Sequence, residues 1–278
     1  MVRPWLVIPV LGLASGGVAL GAHHSIASAC AIALLGAALA AAIRAFNGPT
    51  LAAAVSAGAG AALGVLGLLA VGATSLRPAL GGAVAMFAIC ELARAKPPNA
   101  SPLPAAFAAI AAGVLDPAYV ALIPVAGVHL VVSPWPHRPW MIALPITGVL
   151  ATGFVIAMAI SHAGHADSAR VTLARIGELL GPLAACAALA GIAICATRAR
   201  FAAAAVYGVV ALTLVVAFTA TAGKPLGPAV PLVAALASGI AIGRLAAMIR
   251  MPVGQAFLGA TAGFVLVVVP AWSLVASL

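Results

Sequence analysis

Long apolar runs follow one another from Pro4 to Leu278, parted by short stretches of proline, glycine and charge. A helix that crosses the hydrocarbon core needs roughly 20 apolar residues. The pattern predicts spans near 4–21, 25–44, 51–73, 78–95, 139–160, 172–197, 201–222, 228–248 and 252–277. The breaks carry residues that stop helices: Asn47-Gly48-Pro49, Arg77-Pro78, Pro97-Pro98, Lys224-Pro225 and Met251-Pro252. Alanine dominates and period-two alternation is absent, so strands are not expected. The expected fold is an all-α polytopic transmembrane bundle of about 10 spans, one of them broken or re-entrant. It forms one integral membrane domain with halves at 1–135 and 136–278.

The segment 103–132 does not fit a simple crossing. As one helix its thirty residues would be about 45 Å long, against a core of about 30 Å. Asp116-Pro117 interrupts it. Proline lacks a backbone donor and disfavours helix at the residue before it. The segment is either one kinked crossing or two short helices that return to the same side.

Charge placement separates the two. With a cytoplasmic N-terminus and one crossing at 103–132, Arg3, Arg44, Arg94, Lys96, Arg170, Arg175 and Lys224 fall inside. Arg77, Arg138, Arg198, Arg200, Arg244 and Arg250 then fall outside, which is no bias. If the segment returns, only Arg77, Arg170, Arg175 and Lys224 stay outside. That asymmetry matches the positive-inside rule and favours the returning form. The expected location is the cytoplasmic (inner) membrane, multi-pass, with the N-terminus cytoplasmic.

A repeat agrees with this parity. At an offset of 150, residues 36–115 align without gaps on 186–265. Ala37-Ala38-Leu39-Ala40 meets Ala187-Ala188-Leu189-Ala190, and Pro78-Ala79 meets Pro228-Ala229. Arg94 meets Arg244, Pro102 meets Pro252, and Ala106-Phe107 meets Ala256-Phe257. Basic residues at matching positions point to parallel rather than inverted copies. Glycines spaced by four, at Gly12/Gly16, Gly17/Gly21, Gly60/Gly64, Gly239/Gly243 and Gly259/Gly263, predict close helix packing.

Composition sharpens the picture. Charged residues are 6% of the chain, where a soluble domain carries about 25%. The net charge of +9 comes from residues at span ends, with no basic patch interleaved with aromatics, so nucleic acid is excluded as a partner. The bilayer is the expected partner, with a membrane complex or a homo-oligomer as further ones. Cys30, Cys90, Cys186 and Cys195 lie in apolar stretches without a CxxC pair and read as small packing residues. Arg3 before an apolar run, with Ala19-Leu20-Gly21, imitates a secretory signal, but the segment is read as the first span.

Chemistry has few places to live. Acids at membrane depth are costly and are functional candidates for that reason. Glu91 lies one turn before Arg94, and Glu178 one turn after Arg175, so a local ion pair is the plain reading of each. Asp116 is the sharpest candidate for ion or substrate coupling, because interrupted helices expose backbone groups that bind ions. Its plain reading is a cap on the second short helix. His129, inside the segment, is a buried hydrogen-bonding group or part of a proton path. His23, His24, His162, His165 and Asp167 gather on one predicted side and have the donors for zinc, copper or nickel. Haem needs two facing histidines, and only His129 lies in a span, so no cofactor is expected. The chain has no GxSxG elbow, HExxH or Walker loop, which argues against an enzyme. Span number, duplication and the broken segment favour a small secondary permease. The second reading is a non-catalytic subunit of a membrane complex.

Overall fold

The computed structural model describes residues 7–21, 25–48, 50–70, 75–94, 103–123, 125–127, 182–197, 228–249 and 251–276. Every element among them is helical. In chain order these are α1 Val7–Gly21, α2 Ile26–Asn47, α3 Leu51–Ala70, α4 Leu76–Arg94, α5 Leu103–Leu115, a 3-10 turn Pro117–Tyr119, α6 Pro182–Thr197, α7 Ala229–Ala246 and α8 Pro252–Ala276. Four of these segments, Ile26–Asn47, Leu51–Leu69, Leu76–Arg94 and Ala229–Ala246, are long and apolar enough to cross a membrane. The chain is therefore a helical membrane protein. The spans predicted at 139–160 and 201–222 lie outside the described residues.

Helix starts follow local chemistry. Six of the helices carry a proline within their first three residues: Pro9, Pro78, Pro104, Pro182, Pro231 and Pro252. The first turn has no internal acceptor for its N–H groups, so proline costs nothing there. α2 and α3 use side-chain caps instead. Ser25 Oγ accepts the Ser28 N–H at 3.2 Å, and Thr50 Oγ1 accepts the Ala53 N–H at 3.1 Å. α2 stops at Gly48, whose φ of 81° is open only to glycine at low cost and whose N–H reaches the Arg44 carbonyl.

Glycines set the packing, and the residues they face give the helix directions. Gly12 and Gly16 of α1 lie on Ala33, Ala37 and Ala29 of α2, so α1 and α2 are antiparallel. Gly60 faces Ile43, Ala235 and Gly239, Gly64 faces Leu39 and Ala235, and Gly67 faces Pro231. α3 thus runs against both α2 and α7. α2 and α7 run together, since Ile43 meets Gly239 and Asn47 meets Gly243. α4 also runs with α2: Gly82 lies beside Leu35, while Ala45 and Phe46 pack on Leu92 and Ala93. α8 runs with α3, through Gly259 on Val55 and Gly263 on Ala59. Lipid tails are as apolar as leucine, so these close approaches, rather than a hydrophobic force, hold the helices together. Gly17 faces open space, so the Gly17/Gly21 spacing is not a packing seam at that residue.

α7 is the centre. Every residue from Ala229 to Gly243 is buried, as a helix apolar on all faces requires. It packs on α2, α3, α6 and α8. Cys90 is buried as expected, whereas Cys30 and Cys186 are exposed on outward helix faces rather than packed.

Candidate functional site

The interruption at Asp116-Pro117 is present, and its hydrogen bonds show how it is built. α5 ends at Leu115 with the Asp116 N–H on the Ala112 carbonyl, 2.9 Å. Pro117 has no N–H for the Gly113 carbonyl. The Ala118 N–H goes to Asp116 Oδ1 at 3.0 Å, and the Tyr119 N–H goes to the Asp116 carbonyl at 3.0 Å. The carbonyls of Gly113, Val114 and Leu115 therefore lose their α-helical donors at the negative end of the helix dipole. Asp116 caps the turn that follows, as its plain reading expects.

Beyond the turn the chain reverses. Val120 and Ile123 pack back on Gly113, contacts between positions that a continuous helix would hold about 10 and about 15 Å apart along its axis. Val125 packs on the cluster of Leu92, Ala93 and Ala105, at the level where α5 began.

A glycine pair in α4 makes room for the break. Cβ atoms at Gly81 would sit 3.2 Å from Asp116 Cβ and 3.4 Å from Leu115 Cβ. At Gly82 a Cβ would sit 3.2 Å from Tyr119 Oη, beside Leu35 and Leu232. Tyr119 is fully buried, and its hydroxyl has no hydrogen-bond partner among the described residues. It projects from the break toward the junction of α2, α4 and α7. Asp116 itself is half-buried and makes no ion pair among the described residues. Gly81 lies thirteen positions before Arg94 and four after Arg77, so along α4 the break stands about 20 Å from Arg94 and about 6 Å from Arg77.

The other predicted acid in the described residues is elsewhere. Glu91 sits about 15 Å along α4 from the break, where Arg94 pairs with it at 3.6 Å. The Arg94 side chain is 68% exposed, and such surface pairs contribute little. Glu178, His129, His23, His24, His162, His165 and Asp167 lie outside the described residues. No group of three metal-ligating side chains occurs among the described residues.

A second polar junction was not anticipated. Asn47 Nδ2 donates to the Gly239 carbonyl at 3.2 Å and lies 3.4 Å from Ser56 Oγ, and Ser56 Oγ donates to Ala53 O at 3.1 Å. Arg244 donates to the Phe46 carbonyl. These bonds tie α2, α3 and α7 at one end of the bundle, the end that also carries Arg44 and Arg94. Asn47 belongs to the Asn-Gly-Pro breaker and reads from sequence as punctuation. The match of Arg94 with Arg244 was the available signal, since it puts both arginines at equivalent helix ends.

No protein-family model, curated protein or solved structure matches the chain.

Proposed function

We propose that the chain is a small secondary permease of the cytoplasmic membrane, with the break at Asp116 as its solute or ion site. The observation that carries this reading is the set of groups at the break: three carbonyls released from helical bonding, the Asp116 carboxylate, and a buried Tyr119 hydroxyl without a partner among the described residues. Buried polar groups are normally satisfied, and non-helical backbone at membrane depth is tolerated where it lines a cavity or is enclosed by protein. A ligand or water at the break would satisfy the carbonyls that α5 releases.

The helix directions support a duplicated, parallel architecture. At the offset of 150, α4 corresponds to α7 and α5 to α8, and each pair runs the same way. α2 and α6 end at equivalent positions, Asn47 and Thr197. A returning segment at 103–132 and the three crossings that the sequence predicts before α7 would together bring Arg244 to the Arg44 end, where it is found. The copies differ at the break: Leu266 and Val267 stand where the first copy has Asp116 and Pro117, and α8 continues through them. One copy keeps a continuous helix and the other acquires the site. Motion of one half against the other would expose it alternately to the two sides.

The test uses the full chain in proteoliposomes, with charge displacement recorded on a solid-supported membrane after sodium and proton concentration jumps. The wild type is expected to give transient currents, and Asp116→Asn to abolish them while remaining monodisperse and helical. Unchanged currents in Asp116→Asn would sink the proposal.

The scarcity of polar groups at depth favours a second reading, a non-catalytic subunit of a larger membrane complex. It expects partners to co-purify in mild detergent, and a protein active alone counts against it.

A further inference from the structure

Most of the polar groups at the break are acceptors, and this restricts what can bind. The released carbonyls of Gly113, Val114 and Leu115 accept only, and they stand at the negative end of α5. The Asp116 carboxylate accepts only; one oxygen takes the Ala118 N–H, which leaves the other for a ligand. Tyr119 Oη offers an oxygen lone pair from full burial, without a partner among the described residues. The nearby cation on α4 is Arg77, four residues before Gly81, exposed and making no ion pair with Asp116.

An anion would meet one donor, the Tyr119 hydroxyl, against a carboxylate and three carbonyls. A proton would engage the carboxylate and leave the carbonyls and the hydroxyl as they were. A metal cation with hard oxygen preference accepts carboxylate, carbonyl and hydroxyl oxygens alike as ligands. A single carboxylate balances a single positive charge, whereas a divalent ion would leave excess charge in a half-buried site, which is costly.

Resting on the permease reading of this same site, we infer that the break binds one alkali-metal cation, held by the Asp116 carboxylate, carbonyls of residues 113–115 and the Tyr119 hydroxyl. Unwound backbone and helix C-terminal ends are suited to such ions because their dipoles replace the hydration shell without an added charge. The Gly81-Gly82 pair is then a specificity element, since any side chain there would meet Asp116, Leu115 or Tyr119.

The experiment is equilibrium binding of radiolabelled sodium to the purified full chain, with potassium and choline as competitors, alongside thermal unfolding in the three chlorides at one ionic strength. Saturable sodium binding near one ion per chain is expected, displaced by an alkali ion and not by choline, with an unfolding midpoint higher in sodium or potassium than in choline. Asp116→Asn should weaken binding at least about tenfold, and Tyr119→Phe about threefold or more, each corresponding to loss of one ligand. If Asp116→Asn does not fold, Tyr119→Phe carries the comparison. Equal midpoints in all three salts with no saturable binding would overturn the inference, as would binding that both variants leave unchanged. Sodium binding without currents on the solid-supported membrane would leave this inference standing and overturn the permease reading. Proton-driven currents without alkali binding would do the reverse.

Discussion

At the scale of single residues, small side chains carry this bundle, because burial against lipid brings no hydrophobic gain. Gly60 faces a backbone carbonyl and a glycine Cα of α7 as well as Ile43. Gly60→Leu should therefore destabilise by about 1–3 kcal/mol through overpacking, read as a lowered thermal midpoint in detergent. Gly17 faces open space, so Gly17→Ala should change stability by less than about 1 kcal/mol. A midpoint loss at Gly17 as large as at Gly60 would remove the packing argument. Asn47→Ala removes the bond to Gly239 and the contact with Ser56. Interhelical polar bonds in membranes are worth about 0.6 kcal/mol on average and at most about 1.7, so a small but measurable loss is expected. The signals at this scale were uneven. Glycine spacing was readable at Gly60/Gly64 and Gly239/Gly243, but the identical spacing beginning at Gly17 meets nothing, because spacing does not say which face meets a neighbour. Cys30 and Cys186 failed as packing residues for the same reason.

At the scale of elements, the reversal after Asp116 is what distinguishes this chain from a row of simple crossings. A single cysteine at Ser133, in a background without Cys30, Cys90, Cys186 and Cys195, reports where the segment emerges. It should resist an impermeant thiol reagent applied outside intact cells and label only after permeabilisation. Labelling from outside would mean a single crossing and would return Asp116 to the role of a kink residue. The break itself was legible, since Asp-Pro in an apolar run has few helical outcomes. Its surroundings were not. Tyr119 stands three residues from Asp116 in the sequence, but its hydroxyl is buried at the junction of α2, α4 and α7 only because Gly82 of a different helix leaves room for it.

At the scale of the whole molecule, Arg44, Arg94 and Arg244 gather at one end because α2, α4 and α7 run together. Cysteines at Ala95 and Met248, after α4 and α7, should label from the same side of the membrane, and one at Ser75 from the opposite side. Opposite sidedness of Ala95 and Met248 would require inverted halves and remove the parallel architecture. The proposed halves also share a tight seam: α7 packs on α2 and α3, with Gly60, Gly64, Gly67 and Gly239 at the contact. The motion that the permease proposal requires would therefore pivot about α7 rather than separate it from α3.

What the sequence by itself determined is the solvent, the helical class, most described helix limits and the place of the break. All of these follow from composition and local backbone chemistry: the missing donor of proline, side-chain caps at Ser25 and Thr50, and the scarcity of charge. Only the tertiary structure decided that α7 is enclosed, that Asn47 and Arg244 bind across helices, and that the Tyr119 hydroxyl is buried beside Gly82 without a hydrogen-bond partner among the described residues. An apolar helix facing protein and one facing lipid have the same composition. The difference lies in which neighbours come close enough to touch, and that depends on the packing of all the helices at once.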